Sequence, residues 1–303
     1  MKTAKKITII IAAAMVAIGL IISLCTLIPL KFNFASLNTF HSAVNTYTVN
    51  ESFRNIRIEG VECDIRLMVS DDDKCHVNCV EEEKISHAVK VTDDTLKIER
   101  KDNRRWYEHI QFFYWEDMRI DIYLPKNEYT DLYIMSTSGD IKISENISFE
   151  KAEFNNTSGD INIDKISADY IDIRTTSGDI TLNSVNAGSE LKLSSVSGDL
   201  EISDVDCRNI AAETTSGNQV LADVIAEKNM KINSVSGDIC FKQSDSEDIF
   251  VNTTSGNVSG TILSDKIFNV DTISGDIDVP KSAVGGRCEI ITTSGDINID
   301  LKE

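Results

Sequence analysis

The chain has 303 residues, 41% of them hydrophobic, and 49 acidic against 30 basic side chains give a formal net charge of -19. Lys2, Lys5, Lys6 and Lys31 are the only charged residues among the first 31, so the rest of the chain holds 26 basic and 49 acidic groups. A surface this acidic repels nucleic-acid backbones and anionic headgroups, which excludes nucleic acid as a partner and favours cations or basic and neutral surfaces.

The first element is an apolar run from Ile7 to Leu30, preceded by three lysines and closed by Lys31. As a helix it would extend about 36 Å, enough to cross a hydrocarbon core of about 30 Å. Its length exceeds that of a cleavable signal peptide, and the lysines place the short tail in the cytoplasm and the rest outside the cell. Residues 1–31 therefore read as tail and uncleaved transmembrane anchor, and the polar, aperiodic residues 32–52 as a stalk.

From Phe53 the apolar residues alternate: Ile56 and Ile58, then Val61, Cys63, Ile65, Leu67 and Val69, and after the turn at Asp71–Asp73, Val77 and Cys79. Period-two alternation marks half-buried strands. Residues 53–135 lack a strict repeat and read as an N-terminal β cap. A hairpin turning near Asp71 sets Cys63 opposite Cys79, where a disulfide is available. Cys75, His76 and Cys79 lack a fourth ligand for a zinc site.

Six aromatic residues fall within ten positions: Trp106, Tyr107, Phe112, Phe113, Tyr114 and Trp115, flanked by Arg104, Arg105 and Arg119. Their chemistry suits a partner-binding hot spot, a contact with the membrane interface or a plug for the open end of a repeat stack.

From residue 136 the tripeptide Ser-Gly-Asp/Asn recurs nine times, with glycines at 139, 159, 178, 198, 217, 237, 256, 275 and 295, always 19 or 20 residues apart. A period this short means a solenoid whose coils bury their apolar faces only by stacking. Apolar columns stand seven and five residues before the glycine, as in Leu132 and Ile134 or Leu191 and Leu193, and two and four after it, as in Ile141 and Ile143. Gln219 interrupts the column two residues on, where Val220 is expected to take over. Each coil thus has a strand on either side of the corner, and equivalent strands pair in parallel. Cys288 falls in an apolar column and reads as a buried thiol. The fold class is all-β, a single-stranded parallel β-helix (β-solenoid) of about 20 residues per coil over residues 136–303, preceded by one transmembrane helix.

After each corner glycine stands Asp140, Asp160, Asp179, Asp199, Asn218, Asp238, Asn257, Asp276 or Asp296. Interchange of Asp with Asn suits an Asx-turn that caps the corner; the alternative is a carboxylate ladder that binds divalent cations. No catalytic triad, nucleotide loop or cofactor motif is present, and His41, His76, His87 and His109 all precede the repeats. The coils lack the long insertions that build the cleft of a carbohydrate-active β-helix enzyme. The last coil ends at Leu301-Lys302-Glu303 with nothing after it, an edge open to self-association unless its charges blunt it.

The runs Thr175–Ile180 and Thr292–Ile297, both Thr-Thr-Ser-Gly-Asp-Ile, with Leu96–Arg100 and Ile122–Pro125 upstream, resemble a bacterial family of adhesin candidates, membrane-anchored proteins with a β-helical repeat domain of unknown function. The resemblance covers about residues 50–303. It implies an extracytoplasmic β-solenoid in a Gram-positive-like envelope, sometimes encoded near envelope-stress systems. The sequence as a whole reads as a single-pass protein whose rigid rod binds an envelope polysaccharide or protein, adhesin-like, or serves as a scaffold, without catalysis or cofactor. The alternatives are a carbohydrate-active enzyme and an envelope-stress sensor.

Overall fold

The computed structural model describes residues 12–21, 23, 25, 28–29, 42–82, 84–106 and 118–302. The chain divides into two compact units, one formed by Met1–Ser42 with Asn103–Glu116, the other by Ala43–Asp102 with Asp117–Glu303. In the first unit, residues 12–21 are helical. Among the described residues no helix is long and apolar enough to cross a membrane, and parts of the run from Ile7 to Leu30 lie outside them.

Among the described residues there are 21 strands, all in the second unit apart from the first residue of β1. Seven precede the repeats: β1 Ser42–Val49, β2 Asn55–Glu62, β3 Asp64–Val69, β4 Cys75–Glu82, β5 Ile85–Thr92, β6 Thr95–Asp102 and β7 Arg119–Leu124. The repeats supply β8 Glu128–Ser138, β9 Ile141–Ile143, β10 Ile147–Ser158, β11 Ile161–Asp164, β12 Ile166–Ser177, β13 Ile180–Ser197, β14 Leu200–Ser216, β15 Gln219–Ser236 and β16 Ile239–Ser255. The last five are β17 Val258–Ile262, β18 Lys266–Ser274, β19 Ile277–Asp278, β20 Gly286–Ser294 and β21 Ile297–Leu301. Residues 42–49 of the expected stalk are thus strand β1, which pairs with β4.

Coils of about 20 residues stack as a β-solenoid with parallel pairing between equivalent strands, as in Leu191↔Ile210↔Met230↔Ile249. The four apolar columns form one continuous core, in which Leu132, Ile134, Ile141 and Ile143 are fully buried. Burial of each such side chain is worth about 1.5–3 kcal/mol, which is what a lone coil cannot gain. Gln219 does not cede its place to Val220. It sits in register between Leu200 and Ile239, fully buried, because a one-residue slip would turn every neighbouring side chain inside out. Its Nε2 donates to the Asn233 carbonyl at 2.7 Å, and its Oε1 has no partner.

Five of the coils have three straight runs rather than the two read from the sequence. Six residues after the corner glycine, Lys165, Ser184, Asp204, Asp223 and Gln243 adopt φ of 52 to 62° and turn the chain a second time. The added face buries an aliphatic residue beside a small one: Ile166 and Ala168, Val185 and Ala187, Val205 and Cys207, Val224 and Ala226.

The rung order departs from the chain order at both ends. The last coil is not the end of the stack: β20 lies between β16 and β18, with Ser294 opposite both Ser255 and Ser274, and β21 lies between β17 and β19. At the other end β2 lies between β6 and β8, and β3 between β7 and β9. Residues 53–135 therefore contribute true rungs, and their antiparallel strands are the cap: β5 covers β6, and β4 covers β7. Because β7 separates β3 from β4, Cys79 stands opposite Ile120, which in turn stands opposite Ile65. Two strand spacings, about 9.6 Å, exceed the reach of a disulfide, so the expected Cys63–Cys79 bond is not made. All seven cysteines are free, and Cys288 is buried as expected.

The corner acids do not close Asx-turns on their own coil. Instead, for every corner acid but Asp276, Oδ1 accepts the amide of the equivalent residue one rung away: Asp140 N to Asp64 at 2.9 Å, Asp160 to Asp140 at 2.9 Å, Asp179 to Asp160 at 2.9 Å, Asp199 to Asp179 at 2.8 Å and Asn218 to Asp199 at 2.7 Å. The series follows the exchanged order at the far end, where Asp296 N donates to Asn257 and Asp276 N to Asp296, both at 2.9 Å.

Two outcomes follow from this register. Ser255→Cys with Ser294→Cys will close a disulfide on mild oxidation of the full chain, whereas Ser255→Cys with Ser274→Cys, about two rungs apart, will not. Peptide masses after digestion read this out, and the reverse pattern would mean sequential stacking. Asp199→Ala will cost about 1–2 kcal/mol in urea unfolding by orphaning the Asn218 amide, while Asp199→Asn will stay within about 0.5 kcal/mol because the acceptor survives.

Candidate functional site

Three outward-facing columns run beside the glycine corners. The first holds Thr137, Thr157, Thr176, Val196, Thr215, Val235 and Thr254, all exposed. The second holds the corner serines, and the third the carboxylates whose Oδ1 atoms are engaged by the next rung. Strand pairing repeats these groups every 4.8 Å or so, making a ruled strip of methyl, hydroxyl and carboxylate groups. Behind it, the residue three before eight of the nine glycines is buried and polar, Ser136, Asn156, Thr175, Ser195, Thr214, Ser234, Thr253 and Thr292, while Thr272 is half-buried. Several bond the corner carbonyls, as when Asn156 Nδ2 donates to Gly139 O at 3.0 Å and Gly159 O at 3.1 Å. At these rungs the corner is tied from inside, whereas the hydroxyls of Thr175, Ser234, Thr253 and Thr292 have no hydrogen-bond partner among the described residues. In the sequence this inner column is an unbroken Ser/Thr/Asn series, which its polarity disguises as a solvent-facing one.

The seven acids considered as a cation ladder, Asp140, Asp160, Asp179, Asp199, Asp238, Asp276 and Asp296, are therefore brought into one row, joined at its N-terminal end by Asp64. Sequence spacing alone does not reveal Asp64, because its corner reads Glu62-Cys63-Asp64 in place of Ser-Gly-Asp. One carboxylate oxygen of each acceptor in the row is already committed to an amide.

A second face carries aromatic and basic side chains together. The Arg57 guanidinium lies 4.5 Å from the Tyr133 ring centre, and Lys151 and Lys192 flank Tyr170 at 5.7 and 5.3 Å. The same bases pair with acids on their own strands: Arg57 with Glu59 at 2.6 Å, Lys151 with Glu153 at 2.9 Å and Lys192 with Glu190 at 3.0 Å. Bonding to Glu59 raises the Arg57 pKa, and bonding to Arg57 lowers that of Glu59. Ion pairs this exposed add little stability; they order the side chains of the face.

Of the six aromatics proposed as a hot spot, Trp106 belongs to the first unit and is 79% exposed. Tyr107, Phe112, Phe113, Tyr114 and Trp115 lie outside the described residues.

The Toastrack DUF4097 family model matches residues 53–218 and 188–303. Among solved structures, a candidate adhesin from Bacteroides fragilis is 15% identical, with 86% of this chain and 97% of that one covered at a TM-score of 0.50. A candidate adhesin from Parabacteroides distasonis is 18% identical over 72% of this chain and 97% of its own, with a TM-score of 0.49. A candidate lipid binding protein from the same species is 17% identical over 72% and 96%, with a TM-score of 0.44. No curated protein matches the chain. The first of these likenesses agrees with the solenoid fold, and the two family matches together run from residue 53 to residue 303. The chain belongs to the Toastrack DUF4097 family.

Proposed function

We propose that this is a membrane-tethered, non-enzymatic protein of the cell envelope whose repeat body serves as a binding module, adhesin-like or scaffolding. The observation that carries the reading is the ruled strip beside the corners, in which the same outward groups recur rung after rung with no insertion to interrupt them. Such periodicity suits a partner that is itself extended and repetitive, such as an envelope polysaccharide or a protein strand, and the net charge of -19 favours a neutral or basic one.

The tether rests on the N-terminal segment. Met15, Val16, Ile18, Leu20 and Ile21 lie in the helical residues 12–21, and each is 57 to 63% exposed. Apolar surface left in water costs about 25 cal/mol per Å², a cost that a bilayer removes. The full run from Ile7 to Leu30 has the length to span, and Lys2, Lys5 and Lys6 orient it with the body outside.

On fractionation the full chain will sediment with membranes and resist a high-salt wash, and protease added to intact cells will digest the body. A soluble chain, or one cut only after lysis, defeats the anchoring. For binding, the detergent-purified full chain is co-sedimented with insoluble cell-wall polysaccharide. Thr176→Lys with Thr215→Lys, two changes on the strip, will weaken retention by about tenfold, about 1.4 kcal/mol, without altering the melting temperature. Retention unchanged by these variants would remove the strip from the reading.

A further inference from the structure

The exchanged rung order moves the open end of the stack away from the end of the chain. Strand β18 pairs with β20 alone and β19 with β21 alone, so among the described residues the coil of β18 and β19 is the outermost rung. The opposite end is closed by antiparallel β4 and β5.

This rung is built like an interior one but lacks a neighbour. Its core positions continue the apolar columns, with Phe268 opposite Cys288, Val270 opposite Ile290 and Ile277 opposite Ile297. Cys288, Ile290 and Ile297 are fully buried, whereas Phe268 and Val270 are half-buried and Ile277 is 46% exposed. The corner is likewise unspent. Gly295 N donates to Ser274 O at 2.9 Å and Asp276 N to Asp296 Oδ1 at 2.9 Å, but among the described residues no further rung donates to the Asp276 carboxylate.

The two strands differ as edges. β19 is 2 residues long and is soon followed by Pro280, which has no amide to offer, whereas β18 is 9 residues long and has no proline. The inward charge of β18, Lys266, is paired with Asp245 at 2.7 Å within the stack and does not guard the edge. Because Ser274 O takes the Gly295 amide, alternate residues back from Ser274 spend their backbone groups on β20. The amides and carbonyls of Ile267, Asn269, Asp271 and Ile273 therefore line the free edge.

The outward side chains of those four residues are self-complementary when a second copy of the strand runs antiparallel about Val270. Ile267 and Ile273, 49 and 82% exposed, then face each other across the junction, and Asn269 faces the second copy's Asp271, an amide donor against a carboxylate. The residues with free backbone groups stand directly opposite one another, as hydrogen-bonded antiparallel pairs require. Neighbouring registers lose this match: centring on Asp271 sets that carboxylate against its own copy, and centring on Asn269 sets Ile267 against Asp271. Since the other end of the stack is capped, the contact closes at two copies and cannot propagate.

We propose that the β18 edge is a dimer interface, at which two copies of this chain join the open ends of their stacks through antiparallel β18 strands about a two-fold axis at Val270, covering the half-open core of both last rungs. The net charge of -19 on each copy opposes the contact, so the dimer strengthens as salt screens the repulsion.

The test uses the full chain in detergent, followed by sedimentation velocity over a dilution series at low and high salt. A monomer–dimer equilibrium that moves toward dimer with salt is expected. Ile273→Lys will weaken dimerisation about tenfold, because the cross-strand pair is lost twice per dimer, and will leave the melting temperature unchanged. A dimer held by the N-terminal helices would not respond to this variant. In a Cys25→Ser background, Val270→Cys will give a disulfide-linked dimer on mild oxidation, since a residue on the axis forms a close pair with its own copy. Asn269→Cys will not, because its counterpart is Asp271. Melting of each variant is followed by circular dichroism, and if Val270→Cys misfolds, sedimentation of Ile273→Lys decides alone. A chain that stays monomeric at every concentration and salt, a dimer that weakens with salt, association indifferent to Ile273→Lys, or a link formed by Asn269→Cys in place of Val270→Cys overturns the proposal.

Discussion

Everything in the repeat body depends on how closely successive backbones approach at the glycine corner. At Gly237, where φ is +144°, an added Cβ would run into the carbonyl of Gly217, and at Gly217 it would run into that of Gly198. Contact so close admits no side chain, so glycine recurs at every corner from Gly139 onward, and Cys63 takes its place only in the rung that precedes them. It also brings each amide within reach of the next rung: Gly217 N donates to Ser236 O at 3.1 Å, and the neighbouring acid accepts the amide beside it. Corner and carboxylate row thus tie each rung to the next, and the apolar columns pack between them.

This explains which parts of the fold were legible. The columns around the glycine are apolar in coil after coil, so stacking could be read directly. The third face could not, because its turn is made by Lys165, Ser184, Asp204, Asp223 and Gln243, which share a backbone conformation but no chemistry. Its buried residues, among them Ala187, Cys207 and Ala226, are too small to stand out as a core. The carboxylate row was visible as a column, but the partner of each acid was not, since 19 or 20 residues of chain separate donor from acceptor.

Rung exchange was hidden by the very uniformity that revealed the solenoid. Any Ser-Gly-Asp corner fits against any other, so the motif cannot say which coils are neighbours. The connecting segment can: at Gly285 a Cβ would meet the Asp265 carbonyl, and at Gly286 that of Glu247, which shows how tightly this stretch threads back between rungs. The adjacent glycines in the sequence were the trace of that passage.

The exchanged order bears on how the molecule is assembled during synthesis. A chain that emerges from its N-terminus completes its outermost C-terminal layer before the strand that belongs beneath it exists. The final segment must then slot between two partners already made, or hold them apart until it arrives. Residues 297–301 act as a keystone set last, bracketed by β17 and β19. A solenoid could otherwise be lengthened or trimmed one coil at a time; this locking arrangement makes its end an all-or-none commitment.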